Sequence, residues 1–190
     1  MQAVFSGSRG TLTNLARIAL AGFMLSVCAV EASAAPILIV CIGADNTAGR
    51  GTGRRHPGGV ARDQAFPAQL ERLLHGRGVD AHVVNAGVPH STTAGILGRL
   101  DADVPNGTRL VILDRAKGND KQQGGLNTKE YVAEIEARLS ARHIPLIRLP
   151  GGGRTFGAYR DPDGRHYTAE GHEKVAEYLL PQVLKALGNK

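Results

Sequence analysis

"PILIVCIGADNTAG", residues 36–49, joins an unbroken apolar run to a turn of small and polar residues. Ile37, Leu38, Ile39, Val40 and Ile42 lack the polar alternation of a half-exposed strand. A continuous β-branched run of this length suits a strand buried on both faces, as in a parallel sheet covered by helices. Gly43 and Gly49 bracket the turn that follows, and Asp45, Asn46 and Thr47 stand at the strand's carboxyl end.

Three more runs of this kind follow: "DAHVVNAG" (80–87), "TRLVILD" (108–114) and "HIPLIRLP" (143–150). Segments of helical period separate them. "DQAFPAQLERLLHGRG" (63–78) sets Phe66, Leu70, Leu73 and Leu74 on one face and stops at Gly76 and Gly78. "TTAGILGRLDADV" (92–104) is weaker, while "TKEYVAEIEARLSARH" (128–143) carries Tyr131, Val132, Ile135 and Leu139 on one stripe. The last, "TAEGHEKVAEYLLPQVLKAL" (168–187), has Thr168 as a cap, Glu170 at its positive end and a stripe of Val175, Leu179, Val183 and Leu187. Strand alternating with helix predicts an α/β fold: a three-layer α/β/α sandwich on a parallel sheet of four to five strands. In such sheets ligands bind beyond the carboxyl ends of the strands. That rule selects the loops 43–61, 85–92, 114–127 and 150–167.

The start of the chain reads as an export signal. Arg9 and Arg17 precede the apolar core Ile18–Val30, and Ala32-Ser33-Ala34 fits a small-x-small cleavage site. The core is shorter than the ~20 residues of a membrane span. The expectation is a signal peptide over 1–35, one domain over 36–190, and a periplasmic or secreted product with no stable membrane span. The formal charge is +6 and aromatics make up 4% of the 190 residues. No basic block is interleaved with aromatics, so nucleic acid is not the expected partner. Cys28 falls in the leader, which leaves Cys41 alone at the end of an apolar strand, a place for a buried, inert thiol.

Several motifs do not fit. Gly49, Gly51 and Gly53 do not form G-x-G-x-x-G, and the second strand ends in Asn85 rather than an acid. No phosphate-loop string occurs. His166 and His172 are six apart, unlike a helical metal pair, and His56, His75, His82, His90 and His143 read as surface or packing residues. A metal held by Asp45, Asp120 and His166 has no support from spacing.

What remains is "GADNTAG" (43–49), "NAG" (85–87), "GND" (118–120) and "DPDGRHYTAEGH" (161–172), each at a strand end or before the last helix. Acyl transfer needs a nucleophile, a base within hydrogen-bond reach and donors aimed at developing charge, and loops at one sheet edge can bring these together. In this order the four blocks resemble the SGNH, or GDSL-type, hydrolase family from about Ile37 to Leu187. The resemblance implies a flavodoxin-like sheet and hydrolysis of ester bonds on small molecules, glycans or lipids, without cofactor or metal. It implies His166 as general base, oriented by Asp163. It further implies an oxyanion hole from the Gly87 N–H, the Asn119 side chain and the backbone N–H of Asp45. Taken singly, Gly87, Asn119 and the Asp163-Gly164 pair are also ordinary turn residues.

Two features depart from the family pattern. The string "VILDRAKGND" is one residue longer before G-N-D, with Lys117 where a small residue is usual, and Asp45 stands where the nucleophilic serine belongs. A carboxylate there would repel an oxyanion, accept the donors meant for it and raise the pKa of His166. Three readings stay open: an esterase in which water replaces the seryl oxygen; a glycan- or acyl-ligand-binding protein on a hydrolase frame; and an enzyme whose Asp45 attacks an sp³ carbon, in the manner of dehalogenases and epoxide hydrolases. Thr47 is weighed as a displaced nucleophile but is better placed to bond local backbone. Arg50, Arg54, Arg55 and Arg62 gather on the first loop, where they would attract an anionic substrate.

Overall fold

The computed structural model describes residues 35–49, 59–125, 127–150 and 155–188. The leader read over 1–35 lies, but for Ala35, outside these residues, as do Arg50, Arg54 and Arg55. Four parallel strands form one sheet: β1 (Ile37–Gly43), β2 (Ala81–Gly87), β3 (Leu110–Leu113) and β4 (Leu146–Arg148), in the order β2-β1-β3-β4. The helices are α1 (Asp45–Ala48), α2 (Phe66–His75), α3 (Thr93–Gly98), α4 (Leu100–Asp103), α5 (Lys117–Gln122), α6 (Thr128–Ala141) and α7 (Ala169–Ala186). Among the described residues no helix is long and apolar enough to cross a membrane.

The central strands show why their sequences are apolar throughout. Successive side chains point to opposite faces. Ile39 and Cys41 of β1 and Leu110 and Ile112 of β3 pack against α2 and α7. Val40, Ile42, Val111 and Leu113 face the other way, toward α3, α4 and α6. All eight are fully buried. The three layers expected from the sequence are therefore present, with a four-stranded sheet. Burial pushes the Cys41 thiol well up, and this cysteine is an inert part of the first core cluster.

The boundaries differ from expectation in three places. The segment 92–104 is two short helices broken at Arg99, whose backbone is not helical. Gly95 and Gly98 lower its propensity, and Arg99 instead donates to the carbonyls of Ala86 and Gly43. The fourth strand is three residues long, since His143 takes a positive φ of 55° and the chain reaches the sheet late. The "GND" block is a helical turn rather than an open loop.

His172 fixes how α2 meets α7. Its imidazole is buried, and burial lowers its pKa to about 4, so it stays neutral. The bare Nδ1 accepts the Phe66 N–H at 3.1 Å, one of the backbone donors a helix start leaves unpaired.

Candidate active site

All the candidate residues lie at the carboxyl edge of the sheet. At the end of β1 the chain turns at once into α1, and two glycines make that turn possible. Gly43 and Gly87 are register partners on β1 and β2. A Cβ on Gly43 would stand 2.0 Å from Thr47 Oγ1, and one on Gly87 would stand 2.2 Å from the Ala48 backbone N. Side chains there would meet packed atoms of α1, so the turn could not cross the strand ends.

Asp45 is the first residue of α1 and sits among donors. Its Oδ2 accepts from Asn119 Nδ2 at 2.6 Å and its Oδ1 from the His90 N–H at 3.1 Å. His166 Nε2 lies 4.0 Å from Oδ1, and His90 Nδ1 lies 3.8 Å from it. Burial on its own would raise the Asp45 pKa. Hydrogen bonds from His166, Asn119 and the His90 backbone outweigh it and hold the carboxyl well below the usual range.

His166 comes from the turn before α7. Asp163 Oδ1 accepts the backbone N–H groups of Arg165 (2.8 Å) and His166 (3.0 Å), which winds D-x-x-H into one tight turn. Gly164, with φ of 68°, supplies the left-handed step. Asp163 Oδ2 then meets His166 Nδ1 at 2.5 Å. Burial opposes ionisation of Asp163, but these bonds bring its pKa down to about 2. Asp45, and after it Asp163, raise the His166 pKa against the effect of burial. The imidazole is 3% exposed, so its Nε2 can serve only what enters beside Asp45.

Two contacts join this turn to the first. Asn46 Nδ2 donates to the Arg165 carbonyl at 3.4 Å, and Asn46 Oδ1 accepts the Tyr167 N–H at 3.3 Å. Asn119 also donates to the Ser91 carbonyl at 3.0 Å. Its neighbour Asp120 is buried and accepts from Thr93 N (2.7 Å) and Thr93 Oγ1 (2.6 Å). Asp120 thus ties the start of α3 to α5. Among the described residues no group of three His, Cys, Asp or Glu side chains is arranged to hold a metal ion.

The structure brings Asp45, Asn119, His166 and Asp163 together, and the longer "VILDRAKGND" connection does not carry Asn119 away. Gly87 is different. Its N–H donates to Asn85 Oδ1 at 3.0 Å, and its place in the fold is the close passage of α1. The backbone donors that reach the Asp45 carboxylate are its own N–H and that of His90, three residues after Gly87. His90 holds a positive φ of 62°, uncommon outside glycine, which turns its N–H inward. A backbone donor leaves no mark in side-chain chemistry, so the sequence does not reveal it. Thr47 is fully buried and donates to Asp114 Oδ2 at 3.3 Å, away from His166.

These residues open onto a cleft of about 1210 Å³ lined by Asp45, Asn46, His90, Asn119 and His166. Asp114, at the end of β3, lines it too. Burial raises the Asp114 pKa to about 6, against weaker help from Thr47 and Arg160.

No family model and no curated protein sequence matches the chain. Solved structures do. The psychrotrophic esterase EstA from a Pseudoalteromonas species, inhibited by monoethylphosphonate, superposes with a TM-score of 0.65 at 14% identity, covering 80% of this chain and 99% of that one. The chain has the SGNH-hydrolase fold. A lipolytic protein of the G-D-S-L family from Desulfitobacterium hafniense DCB-2 gives 0.58 at 20% identity, covering 76% and 98%. AlinE4, an SGNH-hydrolase family esterase, gives 0.51 at 24% identity, covering 82% and 74%. On this fold the strand-end cleft, rather than the sheet, is where chemistry is set.

Proposed function

We propose that the protein is a slow hydrolase of ester bonds in which water takes the place of a seryl nucleophile. The observation that carries this reading is the geometry around Asp45. His166, clamped through Nδ1 by Asp163, presents Nε2 4.0 Å from Asp45 Oδ1. One water can bond to both atoms at ordinary distances of about 2.8 Å. Its oxygen attacks the acyl carbon, the bond from that carbon to the alkoxy oxygen breaks, and a water proton passes through the Asp45–His166 pair to the leaving alkoxide. Asn119 Nδ2 and the His90 N–H are the donors for the tetrahedral oxygen, but in the resting site the Asp45 carboxylate holds them. The acyl oxygen must compete for them, which keeps the rate low.

The test is turnover of short acyl esters such as p-nitrophenyl acetate. The wild-type protein is expected to show weak activity that His166→Ala abolishes. Turnover unchanged in His166→Ala would overturn the reading.

A second reading is favoured by the filled donor set. With Asp45 already bonded to Asn119 and His90, the cleft is also suited to holding a polar glycan or acyl ligand without reaction. Saturable binding without turnover, lost in Asp45→Ala, would choose it over hydrolysis. The chain's start reads as an export signal, and on that reading the protein works in the periplasm or outside the cell.

A further inference from the structure

The cleft around Asp45 carries a charge pattern that ester hydrolysis does not require. Five cationic side chains line it: Arg115, Lys117, Lys121, Arg160 and Arg165. None of the five makes a side-chain ion pair within 4.0 Å among the described residues, a trait shared with Arg62, Arg72, Arg77, Arg109, Lys129 and Lys185 but here gathered around one concavity. Arg160 is held in place: its guanidinium lies 5.0 Å from the centre of the Tyr167 ring, and it donates to the Arg165 carbonyl. Two carboxylates share the lining of the cleft with these five cations, and Arg160 and Arg115 act on one of them, Asp114, through space. Asp45 is engaged by Asn119, His90 and His166, and Asp114 is the other carboxylate lining it.

The lining mixes apolar and polar surface, with Leu149, Pro150, Tyr167, Ala44 and Ala116 among its apolar residues. Leu149 and Tyr167 are each only 6% exposed, and Ala44 and Ala116 present little more than a methyl group.

We propose that the cleft takes an acyl ester whose alcohol part is negatively charged, such as an acetylated acidic saccharide. The acyl group sits against Asp45 and His166, and the anionic part lies along Lys117, Lys121 and Arg165. This rests on the hydrolase reading for the reaction but on the rim cations for the substrate. Unpaired cations around a concave site concentrate anionic ligands and raise capture rates by about 10–10³-fold at low salt.

The experiment compares acetylated oligogalacturonate with an acetylated neutral xylo-oligosaccharide of equal length. Expected is a kcat/KM about tenfold or more higher for the anionic ester at low ionic strength. That preference should collapse in about 0.5 M salt, where charges are screened within a few ångströms. The triple variant Lys117→Ala, Lys121→Ala, Arg165→Ala should bring the ratio of the two substrates toward one. Equal turnover of both esters by the unaltered protein would overturn the proposal and leave the hydrolase reading standing. If neither ester turns over, the hydrolase reading is decided by p-nitrophenyl acetate alone, and calorimetry with de-esterified oligogalacturonate decides the anionic subsite. Binding that weakens with salt and in the triple variant supports the anionic subsite; no binding at millimolar ligand overturns it.

Discussion

Asp45 and Asp114 stand at the ends of neighbouring strands and line the same cleft, yet their carboxyl groups behave in opposite ways. Burial raises the pKa of both. Asp45 receives an amide at 2.6 Å, a backbone N–H at 3.1 Å and a nearby imidazole, and it falls well below the usual range. Asp114 receives one hydroxyl at 3.3 Å and rises to about 6. The difference lies in donors as well as depth: Asp114 is the more deeply buried and has fewer of them. The fold delivers three loops' worth of donors to the end of β1, where a reacting oxyanion would need them, and almost none to the end of β3.

The comparison is broken most sharply by Asp45→Ser. It frees Asn119 and the His90 N–H, removes the main cause of the raised His166 pKa and restores a hydroxyl nucleophile. Ester turnover is expected to rise about 10²- to 10³-fold, the usual worth of an oxyanion donor. A variant no faster than the parent would mean that the donors are not aimed at the reacting oxygen. In that background Asn119→Ala should cost about 10²-fold in kcat, while an alanine at Gly87, whose N–H is engaged by Asn85, acts on stability instead.

Gly87→Ala tests the steric account of that residue. Its methyl would meet the Ala48 backbone, so thermal unfolding should report a loss of about 1–3 kcal/mol. An unchanged melting temperature would contradict the close passage of α1 over β2.

The two carboxylates should also give stability curves of opposite slope. Asp45 has a lowered pKa, so its contribution is present above the unfolded carboxyl value near 4 and is lost as pH falls through its folded pKa. Asp45→Asn should therefore destabilise at pH 5–6 and cost little in strong acid. Asp114 has a raised pKa, so the folded protein loses stability as pH rises from about 4 to about 6. Asp114→Asn should raise the melting temperature by a few degrees at pH 7 and leave it unchanged below pH 4. Parallel curves for the two variants would remove the contrast.

Much of this architecture can be read from residues whose side chains carry the signal. The paired apolar runs of β1 and β3 announce strands buried on both faces. The Asp163-x-x-His166 turn is local, so its spacing already places a carboxylate near the imidazole, and the structure puts it on Nδ1. Asn119 reaches Asp45 although its connection is one residue longer, because the helical turn at Lys117–Gln122 sets its direction. What the sequence hides is backbone chemistry. His90 works through an N–H that any residue possesses, and only its φ of 62° marks it. Gly87 suggests a donor when its missing side chain is what matters. Arg115, Lys117 and Lys121 come from one segment and Arg160 and Arg165 from another, and only folding shows that they line one cleft.

The pairing of Asp45 with His166 is the claim on which the rest depends. It is tested most directly by following the His166 ring resonances by NMR as a function of pH, in the parent and in Asp45→Asn. The account predicts that His166 in the parent stays protonated above the ordinary histidine midpoint near 6.5, and that the midpoint falls when the carboxylate is neutralised. Identical midpoints in the two proteins would contradict it.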